Sequence, residues 1–244
     1  MSKAAIIGLA LMLVASPAWA QLSKEAMGGC ANQSISADES IKYCTQLIDS
    51  GLLNNKNLPI IHFDRGNKYY RKGNYDEAIA DYNKAIDLKS DYVNAYTNRG
   101  SVYDDKKLYD EAITDFNRAI ELKPDDAAAY NDRGGTYIKK KLYDKAITDF
   151  NKAIELKPDF ADAYSNRAWT YHLKGQDAKG LPDADKAIEL ASGIAAYLYV
   201  RAEIEEKLGQ RDKAIADYHA TIKIDSDSKF KSALDGLKRL GAAP

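Results

Sequence analysis

The residues that could do chemistry in this chain are three histidines, two cysteines and an abundance of acids, and their spacing offers no familiar reaction. His62, His172 and His219 stand far apart, and there is no HExxH, GxSxG or CxxC run and no glycine-rich phosphate loop. The expectation is a protein that is not an enzyme and carries neither metal nor cofactor. His62 reads as core, His219 as surface, and His172 is the one histidine placed to meet a ligand.

The first twenty residues read as an export signal. Lys3 is the positive start, Ala4 to Ala15 the apolar run, and Ala18-Trp19-Ala20 puts small residues at a cleavage site. The run is too short for a membrane span, which takes roughly twenty apolar residues. The mature chain is therefore expected to begin at Gln21 and to be secreted, into the periplasm if the source is a Gram-negative bacterium. Export gives meaning to Cys30 and Cys44. An even pair in an oxidising compartment reads as a disulfide. It would close a loop of about fifteen residues, worth roughly 3 kcal/mol in the chain-entropy model.

Two charged columns are more regular than any catalytic motif. Arg65, Arg99, Arg133, Arg167 and Arg201 recur every 34 residues, and so do Asp81, Asp115, Asp149, Asp183 and Asp217. Matched columns of opposite sign point to a structural ladder, each guanidinium forking onto a carboxylate of its own or a neighbouring unit. The competing reading is an Arg column that faces a groove and grips acidic ligands. Overall charge argues against nucleic acid: 35 Lys and Arg against 36 Asp and Glu leave a formal net charge of -1, with no basic surplus for phosphates.

The same 34-residue step governs the apolar positions. Tyr96, Gly100 and Tyr103 lie at helical spacing, then Ala112, Phe116 and Ala119 follow a break at 105–107. Ala78, Ala112, Ala146 and Ala214 keep the period, as do Tyr82, Phe116, Phe150 and Tyr218. Each unit is thus a pair of antiparallel helices that cannot bury its apolar face alone, so units must stack. Asp91, Asp125 and Asp159 stand where a carboxylate caps the next helix. The predicted fold is all-α, an α-solenoid of five units over 59–92, 93–126, 127–160, 161–194 and 195–228. Residues 21–58 form a disulfide-tied half-repeat cap, because Asp38-Glu39-Ser40-Ile41 and Cys44 overlay Asp76-Glu77-Ala78-Ile79 and Tyr82. Residues 229–244 hold a C-terminal capping helix, with Phe230, Leu234, Leu237 and Leu240 at helical spacing.

The pattern resembles the tetratricopeptide repeat family. Unit positions 8, 11, 20, 24, 27 and 32 read Gly100, Tyr103, Ala112, Phe116, Ala119 and Pro124 in the second unit, and Gly134, Tyr137, Ala146, Phe150, Ala153 and Pro158 in the third. There are departures. His62 replaces an aromatic at position 4. Gly180, Pro182 and Ala184 interrupt the second helix of the fourth unit, which is expected to be delayed, kinked or loosely packed. Glu205 at position 11 and Thr221 at position 27 are expected to weaken the fifth seam.

The resemblance implies a groove lined by the first helices that holds a polypeptide. Its candidate residues here are Asp64, Asn67, Tyr70, Asn98, Ser101, Asp132, Asn166 and Trp169, with Phe63 and Tyr199 as further aromatics. A carboxylate clamp of the chaperone-binding kind is excluded, since Phe63, Ala128 and Asp132 stand where it needs three cations. Asp104, Asp105, Asp132, Asp162, Glu203 and Glu206 make the face acidic, which suits a neutral or basic segment. The expected role is an exported scaffold or adaptor in the cell envelope, without membrane insertion; the alternative is a structural protein that assembles with its own copies.

Overall fold

The structure is a computed structural model describing residues 26–32, 34–51, 53–224 and 231–243; the export signal, Phe230 and Pro244 lie outside the described residues. Among those residues all regular structure is helical. The chain divides into two compact units, one ending at Ala95 and one beginning at Tyr96.

In the first unit a helical turn over 26–31 (α1) precedes α2 (Ala37–Asp49), α3 (Leu58–Arg71) and α4 (Tyr75–Leu88). Helix α2 starts on a reciprocal capping box. Ser36 Oγ accepts from the Glu39 amide at 3.2 Å, and Glu39 Oε2 accepts from the Ser36 amide at 3.2 Å. Cys30 and Cys44 form a disulfide that ties α1 to α2. Ser40 Oγ reinforces it by donating to the Cys30 carbonyl at 2.9 Å, with the Gly29 carbonyl also in reach at 3.1 Å. Ala26, the disulfide, Leu47 and Ile61 make a small core that closes the outer end of α3.

Helix α5 (Val93–Asp105) crosses the boundary, and the second unit continues with α6 (Tyr109–Leu122), α7 (Ala127–Lys139), α8 (Tyr143–Leu156), α9 (Ala161–Leu173), α10 (Asp177–Leu190), α11 (Ala195–Lys207), α12 (Arg211–Ile224) and α13 (Lys231–Arg239). α7 packs on α8, α9 on α10 and α11 on α12. Small residues set the spacing within a pair. A Cβ on Gly134 would lie 2.6 Å from the Phe150 ring, so only glycine admits that ring at full burial. Burying such a ring contributes about 1.5–3 kcal/mol.

Every first helix ends in the same turn. The residue at unit position 15 is left-handed in all five repeats: Gly73, Lys107, Lys141, Gly175 and Gly209, with φ of 77, 63, 59, 68 and 74°. The following amide then donates back to the carbonyl at position 11, as from Leu142 to Tyr137 and from Gln210 to Glu205, both at 2.8 Å. Capping at the other end differs from the sequence expectation. Asp126, not Asp125, caps α7 through the Ala128 amide at 3.2 Å, and Asp159 serves through its backbone carbonyl. The carboxylate one residue nearer the helix has the reach that Asp125 lacks.

The fourth unit also departs from expectation. α10 runs its full 14 residues through Pro182, neither delayed nor loosely packed. Pro182 and Ala178, four residues before it, are both exposed, so the carbonyl that loses its bond faces water. Gly180 brings α10 close to α9, and a Cβ there would lie 2.9 Å from the Ala168 carbonyl. The space left by Ala184 is filled from the next repeat by Val200 and Ile204. In the fifth unit Thr221 is fully buried and satisfied, its hydroxyl donating to the Asp217 carbonyl at 2.8 Å. α13 closes the stack, burying Ala233 and Leu237 against α12.

Candidate functional site

The charged columns are built into the seam of each repeat. Arg133 Nε and Nη2 donate to both oxygens of Asp149 at 2.8 and 2.7 Å. Arg65–Asp81, Arg99–Asp115, Arg167–Asp183 and Arg201–Asp217 repeat the fork, with every bond between 2.6 and 3.0 Å. The acids are buried, 3 to 8 % exposed, while the guanidinium groups are half-buried. A further column ties repeat to repeat. Nη1 of Arg133, Arg167 and Arg201 donates to Asn117, Asn151 and Asp185 of the preceding repeat at 2.6, 2.7 and 2.9 Å. In the first unit Arg65 Nη1 reaches Thr45 Oγ1 at 2.9 Å.

The first two rungs of the ladder differ electrostatically. Burial pushes the Asp115 carboxyl up, further than Arg99 pulls it down. Asp81 feels the same burial, yet it ends below the ordinary carboxylate range because Arg65 and His62 both donate to it. His62 Nδ1 lies 2.8 Å from Asp81 Oδ1, so this histidine is a member of the ladder as well as a core residue.

The candidate groove residues fall into two sets. Asp64, Asn67 and Tyr70 lie on α3 in the first unit. Asn67 Oδ1 accepts from the Tyr82 hydroxyl at 2.8 Å, and the Tyr70 ring lies 6.1 Å from that of Tyr75. Burial raises the Asp64 carboxyl, partly offset by Lys68. Phe63 packs against Tyr92 at 4.9 Å and Tyr82 at 5.9 Å, which covers much of its ring.

The other five lie on α5, α7 and α9 in the second unit. α9 rests against both α7 and α11, which puts these first helices side by side. Cross-helix ties knit that face. Asn166 Nδ2 donates to Asn131 Oδ1 at 3.0 Å, and Thr136 Oγ1 donates to Asp104 Oδ1 at 3.0 Å. Ser101 bonds back to its own helix, its hydroxyl donating to the Thr97 carbonyl at 3.1 Å. Trp169 stacks on His172 at 5.0 Å and lies 6.2 Å from Tyr199. His172 does not present a free ring nitrogen pair to a ligand, because Nδ1 is 2.6 Å from Asp177 Oδ1.

The acidity of the face is more local than the sequence count implies. Arg239 of α13 pairs with Glu203 and Glu206 at 2.9 and 2.7 Å, and the Tyr218 hydroxyl donates to Glu206 at 2.7 Å with Glu203 also in reach at 3.0 Å. Asp104 pairs with Lys139, and Asp162 accepts from the Tyr197 hydroxyl. What remains is centred on Asp132. Its carboxyl is pushed up to about 6 by burial, with Asp126, Asp104 and Asp162 adding to the rise.

Comparison with known proteins agrees with this architecture. A model described as TPR repeat matches residues 66–107 and 134–175, and one described as Tetratricopeptide repeat matches 93–126. The chain carries tetratricopeptide repeats. Among solved structures, the tetratricopeptide-repeat fold is shared with the crystal structure of MamA at 25% identity and TM-score 0.59, covering 72% of this chain and 97% of that one. YrrB, described as a TPR protein with an unusual peptide-binding site, aligns at 23% identity and TM-score 0.58 over 80% of this chain and 97% of its own. PilF of Pseudomonas aeruginosa aligns at 17% identity and TM-score 0.69 over 77% and 84%. At those identities YrrB and PilF speak to the fold. No curated protein matches the chain by sequence.

Two features of the site were missed in the sequence, and a third was seen only in part. The Asn117, Asn151 and Asp185 column was legible as a 34-residue recurrence, and Thr45 falls in the same register at the offset of 38. The Arg239 pairing had no periodic signal. Glu205 was visible as the one departure from tyrosine at position 11, after Tyr69, Tyr103, Tyr137 and Tyr171.

Proposed function

We propose that the face formed by α5, α7 and α9 binds a neutral or basic polypeptide segment, and that the chain is an exported scaffold working in the cell envelope. The observation that carries the reading is the side-by-side set of amide and carboxyl groups around Asp132, with the half-buried Trp169 indole at its edge. Amides donate and accept, carboxylates accept, and an extended backbone offers both partners at regular intervals. A cationic side chain near Asp132 would relieve a carboxylate crowded by three other acids. Trp169 supplies the anchor type that dominates such interfaces.

Among the described residues no helix is long and apolar enough to cross a membrane. Export rests on residues 1–20, and a mature chain isolated from its source that still began at Met1 would overturn it.

The binding face is tested by photo-crosslinking in intact source cells. A photo-reactive residue at Asn98 or Trp169 is expected to give a discrete protein adduct. One at Glu155, on the exposed side of α8, is expected to give none. Asp132→Lys should suppress the adduct from position 169. Equal labelling from positions 155 and 169 would reject the assignment.

A further inference from the structure

The fifth repeat contains a cavity where the other repeats hold a ring. At position 11 the first four units carry Tyr69, Tyr103, Tyr137 and Tyr171. The ladder arginine of the same unit lies over the ring in three of them, at 5.9 Å for Arg65–Tyr69, 5.9 Å for Arg99–Tyr103 and 5.8 Å for Arg133–Tyr137. In the third unit Lys145 meets that same Tyr137 ring at 5.6 Å, so one ring serves two cations.

The fifth unit keeps the cations and loses the ring. Arg201 is held in the ladder position by Asp217 and Asp185, and Lys213 stands in the register of Lys145. Glu205 replaces the tyrosine. Between α10, α11 and α12 this leaves a cavity of about 330 Å³ that opens to solvent, with Leu181 and Ala216 as its apolar wall. That volume falls within the range of small-molecule sites, roughly 300–1,000 Å³.

Glu205 is unusual among the buried acids. It is 4 % exposed, and among the described residues its Oε2 accepts no hydrogen bond from the protein. The Glu205 side chain lines the cavity, and its carboxyl offers an acceptor to a donor seated there. Burial drives the Glu205 carboxyl up to about 7, with Asp217 adding to the rise, so it is poised between its two forms near neutrality.

The chemistry of the walls selects the occupant. Arg201 and Lys213 oppose a cation, while Glu205, Asp185 and Asp217 oppose an anion. A neutral ring suits both, since its face attracts the cations and a hydroxyl on its edge donates to the carboxyl. We infer that the cavity between α10, α11 and α12 binds one aromatic ring carrying a hydroxyl, a phenol-class group seated between Arg201 and Lys213 and donating to Glu205. The group belongs either to a free small molecule or to the tip of a tyrosine side chain. This site is separate from the Asp132 face and stands or falls independently of it.

The probe is 4-methylphenol, titrated into the intact chain and followed by ligand-observed NMR. Saturable binding is expected, with toluene, which lacks the hydroxyl, at least about tenfold weaker. Glu205→Tyr restores the ring found in the other repeats, so it should remain folded and lose binding by at least about tenfold. N-acetyltyrosinamide separates the two sources. Binding that Glu205→Tyr also abolishes assigns the site to a chain-borne tyrosine as well, and its failure beside 4-methylphenol binding assigns it to a free molecule. The inference is overturned if the folded protein shows no saturable 4-methylphenol binding up to about 10 mM, where even a weak ligand would fill the site. Equal binding of toluene, or binding unchanged in Glu205→Tyr, would overturn it too.

Discussion

Arg133→Leu would leave Asp149 buried with its fork removed, and breaking a buried pair from one side is far costlier than replacing both partners. Because the Arg133 side chain keeps 17 % of its surface exposed, the expected loss is roughly 2–4 kcal/mol, read as a lowered denaturation midpoint. Adding Asp149→Leu should restore part of it. An Arg133→Leu protein that kept its midpoint and lost a ligand would instead make the arginines a binding device. Glu205 gives a second residue-scale expectation, with the opposite dependence from a paired acid. Its native value of about 7 lies above the ordinary 4.5, so between those values the folded chain holds a proton the unfolded chain has released. Native stability relative to Glu205→Gln should therefore fall as pH rises from about 4.5 to 7, and thermal melts of both proteins across that window would show it. The ladder was legible at this scale because a 34-residue recurrence needs no structure to be seen. The identity of Glu205 was legible as well. Its unpaired oxygen was not, because burial and partners depend on what α10 and α12 bring to the same place.

At the scale of the helix pair, the left-handed residue at position 15 is the shared device. Glycine adopts it without strain in three repeats, whereas Lys107 and Lys141 hold φ near 60° with a Cβ. Lys141→Gly is expected to stabilise the protein by about 0.5–1 kcal/mol, measurable as a raised denaturation midpoint. The alternation of lysine and glycine at one position carries no clear signal in the sequence, because a helix break is compatible with several turn types. The fourth unit shows the converse. Gly180 and Pro182 satisfy every local rule for a disrupted helix, yet α10 is complete. Local propensity loses there because the proline faces water while Gly180 opens a close approach to α9, which Ile204 of the next repeat then seals. Nothing within the fourth unit's own residues announces that compensation, since the filler comes from another repeat.

For the whole molecule the ends matter most, since an uncapped repeat exposes an apolar face that invites further stacking. In the first unit the Cys30–Cys44 disulfide and Leu47 cover the outer side of α3, and in the second Ala233 and Leu237 of α13 cover α12. With both faces covered, light scattering across a concentration series should return a constant single-chain mass. A mass that rose with concentration would favour the self-assembling alternative.

The sequence alone determined the repeat, its period, the helix pairs and the matched charged columns, because each follows from residue type at a fixed step along the chain. It also carried the disulfide, since only two cysteines are present to pair. Tertiary structure decided which acids of the proposed binding face stay unneutralised, since Arg239 reaches Glu203 and Glu206 from a helix more than thirty residues away. It decided that His172 is engaged by Asp177, and that the missing tyrosine of the fifth repeat leaves a cavity with a buried carboxyl on its wall. These are questions of which side chains share a volume. Spacing along one chain is silent on them until the repeats are stacked.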